Sequence, residues 1–152
     1  MKILMVCLGN ICRSPLADGL LRKKVLDNKL DVVVDSAGTS AYHVGNAPDK
    51  RMILTAGTRG VSIENLKARQ FTKNDFKEFD LIYVMDKSNL EDVLELTDNK
   101  EERSKVSLIL NETNPSSDAE VPDPYFGGQE GFVHVYDMLN EATDRIIEKI
   151  KK

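Results

Sequence analysis

The sequence predicts an α/β protein, a single doubly wound domain in which a four-stranded parallel sheet carries helices on both faces. The main observation is that four short apolar runs, too short for helices, alternate with longer segments of helical periodicity. A second is that no internal repeat breaks this order. A third is length, because 152 residues suffice for one well-buried core and are few for two. We therefore expect residues 1–152 to form one domain.

The first two strands and the helix between them form a βαβ unit within about 35 residues. The first strand begins at Lys2 and ends at Cys7, and the β-branched run at 31–35 is the second. The Ser-Ala-Gly-Thr sequence at 36–39 is expected to end that second strand. Between the strands, apolar residues recur at helical spacing, and Pro15 is tolerated in the first turn of the helix. The crossover should be right-handed.

The rest of the chain continues the alternation of helices and strands. Two further strands are predicted at residues 81–85 and 105–110, and a long amphipathic helix at 129–150. The charged segment 98–103 is predicted to be an exposed turn. Shorter helices are predicted from Pro48-Asp49 to Gly57 or Gly60, from Thr72 through Phe76, and from Ser88 onward.

Composition and charge exclude several classes of protein. A net charge of −4 argues against a nucleic-acid binder, which needs a basic face. No apolar run is long enough to span a membrane and the N-terminus lacks signal-peptide features, so we expect a cytoplasmic protein that does not bind membranes. Two cysteines cannot build a disulfide framework, and the ligand spacings of a zinc site are absent. We predict no metal and no cofactor.

The segment 7–13 joins the first strand to a helix N-terminus. The first N–H groups of a helix lack partners within it, and the helix dipole adds positive charge there, so this loop is an anion site. Gly9 is expected to let the backbone curl back, and Arg13 adds a planar fork for two oxygens of the anion. The expected anion-binding residues besides Arg13 are Leu8, Gly9, Asn10, Ile11 and Cys12.

Cys7 lies at the entrance of this loop, where the same groups would stabilise its thiolate form. A thiolate that faces a bound phosphoryl group is a nucleophile. A cysteine at a strand end could equally be a packing residue, which is the usual role of a lone cysteine. The accompanying Gly, Asn, Arg and Ser at this spacing favour the nucleophile.

The run Cys-Leu-Gly-Asn-Ile-Cys-Arg-Ser-Pro at 7–15 resembles the phosphate loop of the low-molecular-weight protein tyrosine phosphatases. Later segments extend the resemblance over nearly the whole chain. It implies hydrolysis of a phosphotyrosine-containing protein or a small aryl phosphate through a phosphocysteine intermediate. It also implies inhibition by oxyanions such as phosphate and vanadate. We expect a monomer or a weak dimer.

Asp123 is the best candidate for the acid that protonates the leaving oxygen. The prolines on either side restrict the backbone and hold the carboxyl in a stiff loop. From the residues alone, a solvated Pro-Asp-Pro turn is an equally good interpretation. The Asp-Pro-Tyr sequence at the same late position carries the general acid in the family that the chain resembles, which assigns this role to Asp123.

The resemblance also suggests residues that support the loop. Ser14 would donate a hydrogen bond from its hydroxyl to the Cys7 sulfur, although it could also cap the helix. Asn10 and Ser36 would brace the loop through side-chain hydrogen bonds. Asp86 would lie near Arg13 or the acid-bearing loop, or else cap the following helix.

Tyr42 and Tyr125 resemble the aromatic walls that flank the family's cleft and would stack on the substrate ring. Cys12 could form a reversible disulfide with Cys7 that protects the nucleophile from overoxidation, or it could simply fill space. The chain departs from the family at Leu66, where several relatives have His, so a coupling of that His with the acidic residue Asp18 is absent. It departs again at Phe126, where a second Tyr is often found.

Three alternative functions remain open. Arsenate reductases of this fold use further cysteines downstream, and none follows Cys12. Phosphoarginine phosphatases carry Thr at the position of Ile11, so Ile11 favours phosphotyrosine. A module that only binds phosphate or phosphopeptides would need neither Cys7 nor Asp123.

Overall fold

A computed structural model describes residues 1–125 and 127–152, and its sheet confirms the predicted α/β class. Four strands run parallel in the order β2-β1-β3-β4. They are β1 (Lys2–Cys7), β2 (Val33–Gly38), β3 (Leu81–Val84) and β4 (Val106–Leu108). The helices are α1 (Arg13–Asp27), α2 (Lys50–Gly57), α3 (Asp75–Glu78), α4 (Lys87–Leu94), α5 (Lys100–Ser104) and α6 (Gln129–Lys151).

Strand β1 is buried on both faces, which explains why its sequence is a continuous apolar run. Successive side chains of a strand point to opposite faces. Ile3 and Met5 pack in a core with α1 and α6, whereas Leu4 and Val6 pack in a second core with residues of α3 and α4. Helices therefore cover both faces of the sheet. In the described part of the chain, none of the helices combines the length and apolar character that a bilayer-spanning helix requires.

Strand β2 differs from its prediction at both ends. It begins two residues later than expected and includes Ser36, Ala37 and Gly38, which were expected to end it. The physical reason is pairing, because β2 stays in register with β1 up to the pair of Cys7 and Gly38. Gly38 also exchanges backbone hydrogen bonds with the segment 69–71 on its other side. Hydrogen bonding to two neighbours therefore outweighs the local turn preference of these residues.

Two later segments also differ from their predictions. The segment 98–103 was expected to be a turn but contains most of α5, whose N-cap Asn99 accepts a hydrogen bond from the Glu102 N–H at 3.0 Å. This helix has no buried face, so its sequence lacks the apolar periodicity that would have predicted it. Strand β4 ends at Leu108, and the buried Ile109 and Leu110 begin a short 3-10 helix, Ile109–Glu112.

Gly19 allows the segment 61–63 to pack closely against α1. A Cβ built on Gly19 would lie 2.5 Å from Cγ2 of Ile63 and 3.2 Å from Cγ1 of Val61. Gly57, at the end of α2, has no heavy atom within 4 Å of such a Cβ. The two glycines therefore form a matched pair for one substitution.

We expect Gly19→Ala to lower the free energy of unfolding by about 1–3 kcal/mol, because the core must shift to admit the methyl group. Gly57→Ala should be neutral or stabilising by up to about 1 kcal/mol, because alanine favours the helix. Urea denaturation of both variants and the wild type measures this. Equal stability of the two variants would contradict the close packing at Gly19.

Candidate active site

The carboxyl edge of the sheet gathers most of the predicted site residues around one cavity. Cys7 ends β1, Asp86 follows β3, and the segment that contains Asp123 follows β4 and the 3-10 helix. Ligands of parallel sheets bind at this edge. The cavity is lined by Cys7, Leu8, Gly9, Ile11, Cys12, Arg13, His43, Asp123 and Tyr125.

The loop after β1 turns at Asn10 and not, as predicted, through the backbone freedom of Gly9. Asn10 has a φ of +57°, in the left-handed region, whereas Gly9 does not. Gly9 matters for space, since a Cβ there would lie 3.1 Å from Cδ2 of His43. Gly38 matters in the same way, because its Cβ would lie 2.7 Å from the carbonyl oxygen of Leu8. The loop therefore depends on one strained residue and two close approaches.

The Asn10 side chain is buried and braces the loop, as the resemblance implied. Its Oδ1 accepts a hydrogen bond from the backbone N–H of Arg69 at 3.1 Å, and its Nδ2 donates to Ser14 Oγ at 2.8 Å. These bonds offset the cost of the left-handed backbone. Asn10 is absent from the cavity lining, so its side chain acts from behind the loop.

Two groups of Ser14 lie within hydrogen-bond distance of the Cys7 sulfur. Sγ lies 2.9 Å from the Ser14 hydroxyl oxygen and 3.4 Å from the Ser14 backbone nitrogen. The hydroxyl oxygen accepts from Asn10, so its own hydrogen is left to point toward either Cys7 or the Ala37 carbonyl oxygen, 3.4 Å away. The shorter distance favours the sulfur. This arrangement suits a thiolate, which accepts two hydrogen bonds.

Arg13 lines the cavity and is almost fully buried, with 3% of its side chain exposed. Its Nη1 donates to Asp86 Oδ2 at 2.7 Å and to the Val121 carbonyl at 3.0 Å, while Nη2 lies 3.8 Å from Asp123 Oδ2. Burial acts to lower the pKa of Arg13, but Cys7, Asp86 and Asp123 oppose it and the net shift is upward. The guanidinium therefore stays charged.

Asp86 satisfies both of the interpretations considered for it. Its Oδ2 accepts from Arg13, and its Oδ1 accepts from the Asn89 N–H at 2.8 Å and so caps α4. The Asn89 side chain accepts in turn from the Asp86 N–H, which completes a capping box. A helix cap and an arginine partner are thus combined in one carboxylate.

Asp123 lines the cavity with 37% of its side chain exposed. Its Oδ1 accepts a hydrogen bond from the Tyr125 backbone N–H at 3.0 Å, the turn expected of this sequence. Its Oδ2 is the atom that approaches Arg13. The carboxyl therefore lies in the same cavity as the phosphate loop and close to its arginine.

The cavity wall differs from the prediction at one of its two aromatic residues. Tyr125 lines the cavity, but Tyr42 is 87% exposed and does not, so its assignment as a wall is corrected. The neighbouring His43 takes that place, and its ring centroid lies 6.5 Å from that of Tyr125. His43 was not among the predicted site residues, and the one available signal was its position beside Tyr42.

Ser36 is buried, but among the described residues its hydroxyl makes no hydrogen bond to the phosphate loop, so the expected bracing is not seen. The hydroxyl is close enough to Asp18 to act on the pKa of that carboxyl. Burial raises the pKa of Asp18, while Arg22 and Ser36 act against this shift. Arg22 pairs with Asp18 at 2.8 Å. Leu66, the first departure from the family, packs half-buried against the core. Phe126, the second, lies outside the described residues.

Cys12 is a buried free thiol in the cavity lining. Burial raises its pKa, and the negative charges of Asp49, Cys7 and Asp123 raise it further. Cys12 is therefore a neutral thiol at ordinary pH. Cys7 is also free, and the suggested disulfide between the two stays a prediction. Within residues 1–125 and 127–152, no three His, Cys, Asp or Glu side chains are grouped as a metal site requires.

A sequence model described as low molecular weight phosphotyrosine protein phosphatase matches residues 2–152. The chain belongs to this family. Its members include the low molecular weight phosphotyrosine protein phosphatase of Schizosaccharomyces pombe, 39% identical over 153 residues that cover 98% of this chain and 96% of the relative. The predicted family is thereby confirmed.

Solved structures agree with this family assignment. A protein tyrosine phosphatase from Entamoeba histolytica, with Hepes in its active site, superposes with a TM-score of 0.92 at 37% identity, covering 99% of this chain and 97% of that one. A Drosophila arginine phosphatase also superposes with a TM-score of 0.92, at 33% identity, covering 100% of this chain and 99% of that one. A tyrosine phosphatase and an arginine phosphatase thus share this fold.

The two cysteines should differ in reactivity. At pH 7 we expect iodoacetamide to modify Cys7 at least about tenfold faster than Cys12, because Ser14 stabilises the Cys7 thiolate whereas burial keeps Cys12 protonated. Tandem mass spectrometry of the peptide that contains both residues measures this. Cys12→Ala should be labelled like the wild type and Cys7→Ala should lose the fast label. Faster labelling of Cys12 would contradict the geometry.

Proposed function

We propose that this protein is a phosphotyrosine protein phosphatase that hydrolyses aryl phosphate monoesters through a phosphocysteine intermediate. The observation that carries this proposal is the position of the Cys7 sulfur. It lies within hydrogen-bond distance of two groups of Ser14, in the same cavity as Arg13 and Asp123. A nucleophile, a cation and a carboxyl acid are the three components that the reaction needs.

In the first step, the Cys7 thiolate attacks phosphorus and the bond to the aryl oxygen breaks. Arg13 and the N–H groups of the loop stabilise the charge on the transferring phosphoryl oxygens. Asp123, in its protonated form, donates its proton to the leaving aryl oxygen. The position of its Oδ2 near Arg13 supports this role, because the leaving oxygen of a bound ester lies beside the phosphoryl group.

In the second step, water attacks phosphorus and the bond to the Cys7 sulfur breaks. Asp123, now ionised, accepts a proton from the water. Ser14 donates a hydrogen bond from its hydroxyl to the departing sulfur, which stabilises the thiolate and makes it a better leaving group. The distance of 2.9 Å between the two atoms supports this assignment. Inorganic phosphate is the product, and phosphate or vanadate should inhibit by occupying the same loop.

The walls of the cavity support an aryl substrate. Tyr125 and His43 contribute aromatic rings to the cavity lining, and Leu8 and Ile11 contribute apolar surface. A phosphotyrosine ring would pack between these groups. We propose that the reaction needs no metal ion. The expected cytoplasmic location and the expected monomer or weak dimer stay predictions.

Replacement of the nucleophile should separate catalysis from binding. We expect Cys7→Ser to abolish turnover of para-nitrophenyl phosphate while inorganic phosphate still binds, because the anion cradle does not depend on the sulfur. Cys12→Ser should keep measurable turnover. Steady-state kinetics and calorimetric titration measure the two properties, with EDTA expected to leave the wild-type rate unchanged. Turnover by Cys7→Ser would refute the mechanism.

The choice between phosphotyrosine and phosphoarginine should depend on Ile11. We expect a higher kcat/KM for a phosphotyrosine peptide than for a phosphoarginine peptide, because the Ile11 side chain adds apolar surface to the cavity. Ile11→Thr should lower this ratio by about tenfold, and Ile11→Val, which keeps the apolar branch, should not. Faster release of phosphate from the phosphoarginine peptide by the wild type would overturn the assigned substrate.

A further inference from the structure

Arg51, in the first turn of α2, contacts the loop that carries Asp123. We call residues 122–128 the acid loop, and the structure describes 122–125, 127 and 128 of it. The Arg51 side chain donates from Nη2 to the Tyr125 carbonyl at 2.9 Å and from Nη1 to the Gly127 carbonyl at 3.5 Å. Its guanidinium carbon also lies 4.6 Å from the centroid of the Phe132 ring, and Phe132 belongs to the first turn of α6. One side chain therefore reaches the acid loop at two points and the helix that follows it.

Asp49 holds the Arg51 guanidinium in place and connects it to the phosphate loop. Its two carboxylate oxygens accept from Arg51 Nε at 3.1 Å and from Nη2 at 3.0 Å. The Asp49 backbone N–H donates to the Ile11 carbonyl at 2.8 Å. A continuous path of hydrogen bonds thus runs from the phosphate loop through Asp49 and Arg51 to the acid loop.

The acid loop also has internal hydrogen bonds, but they have a different effect. Asp123 Oδ1 accepts from the Tyr125 N–H, and the Pro124 carbonyl accepts from the Gly127 N–H at 3.0 Å. These bonds act within the loop itself. Its position relative to Cys7 is set by contacts with other elements: Arg13 donates to the Val121 carbonyl just before the loop, and Arg51 donates to two carbonyls that follow Asp123.

We infer that Arg51 is a positioning residue, which holds the Asp123 carboxyl at the distance from the phosphate loop that proton donation to the leaving oxygen requires. The inference rests on the role of Asp123 as general acid in the proposed function. A planar guanidinium is needed, because it meets a carboxylate, two carbonyls and the rings of Tyr125 and Phe132 at once.

The inference can be tested because proton donation matters more for some substrates than for others. Para-nitrophenolate leaves readily without a proton, whereas phenolate needs one. Displacement of Asp123 should therefore slow the hydrolysis of phenyl phosphate more than that of para-nitrophenyl phosphate. The parameter to compare is kcat/KM, since it reports the step in which the aryl oxygen leaves and is independent of later hydrolysis of phosphocysteine.

The experiment measures kcat/KM on both substrates for the wild type, Arg51→Met, Arg51→Lys and Asp123→Asn. For Asp123→Asn and both Arg51 variants, we expect kcat/KM on phenyl phosphate to fall about tenfold or more beyond the fall on para-nitrophenyl phosphate. Small displacements of a catalytic group are costly. Arg51→Met combined with Asp123→Asn should show no larger substrate dependence than Asp123→Asn alone, since both changes remove the same proton transfer.

Arg59→Met is the matched control. Arg59 also lies close to an aromatic ring of α6, with its guanidinium carbon 5.1 Å from the Tyr136 centroid, but its hydrogen bonds are to Thr55 and Thr58. Its loss should change the rates on both substrates equally or not at all. Thermal melting of each variant shows whether it is folded. If Arg51→Met is unfolded, the rates of Arg51→Lys test the inference instead.

The outcomes distinguish the inference from the proposed function. If Asp123→Asn shows the extra loss on phenyl phosphate and the Arg51 variants lose equally on both substrates, Arg51 is only structural and the inference is overturned. If Asp123→Asn itself has the substrate dependence of the wild type, the acid role of Asp123 fails and the inference fails with it. The expected pattern in all four proteins and in the double variant supports both.

Discussion

The contact between Ser14 and the Cys7 sulfur is the interaction on which the rest of the site depends. Both hydrogen-bonding groups of Ser14 lie near the sulfur, and the hydrogen bond that Asn10 donates to the Ser14 oxygen leaves the hydroxyl hydrogen free to point toward the sulfur. Asn10 does this from a left-handed conformation, which the hydrogen bond from the Arg69 backbone N–H to its side chain stabilises. A thiolate held in this way is both a nucleophile and a competent leaving group, and the proposed chemistry needs both properties in turn.

The fold supplies this contact by packing several elements against one short loop. Strand β1 is buried on both faces, so the position of Cys7 at its end is fixed by two cores. Gly38 brings β2 close beneath the loop, and Asp86 pairs with Arg13 from the end of β3. Helix α2 joins the loop through Asp49. Each of these contacts comes from a different part of the chain, and together they orient the nucleophile, the cation and the acid.

The sequence predicted the features that depend on local pattern. The apolar run of β1, the helix that follows it and the loop between them could be read directly, and they placed Cys7 and Arg13 correctly at the carboxyl edge of the sheet. Contacts between distant segments could not be read in this way. Ser36 interacts with Asp18 and His43 replaces Tyr42 in the wall because of how neighbouring segments pack, which no local spacing encodes. The contacts of Arg51 with the acid loop could not be predicted for the same reason.

The central claim is that the Cys7 sulfur carries the phosphoryl group during turnover. The most direct test is rapid acid quenching of Asp123→Asn during reaction with para-nitrophenyl phosphate, followed by mass spectrometry of the peptide that contains Cys7. This variant should accumulate the intermediate, because its second step lacks a base. The account predicts a phosphoryl group on the sulfur of Cys7, formed as fast as the first equivalent of nitrophenol. Release of nitrophenol without any phosphoryl group on Cys7 would contradict it.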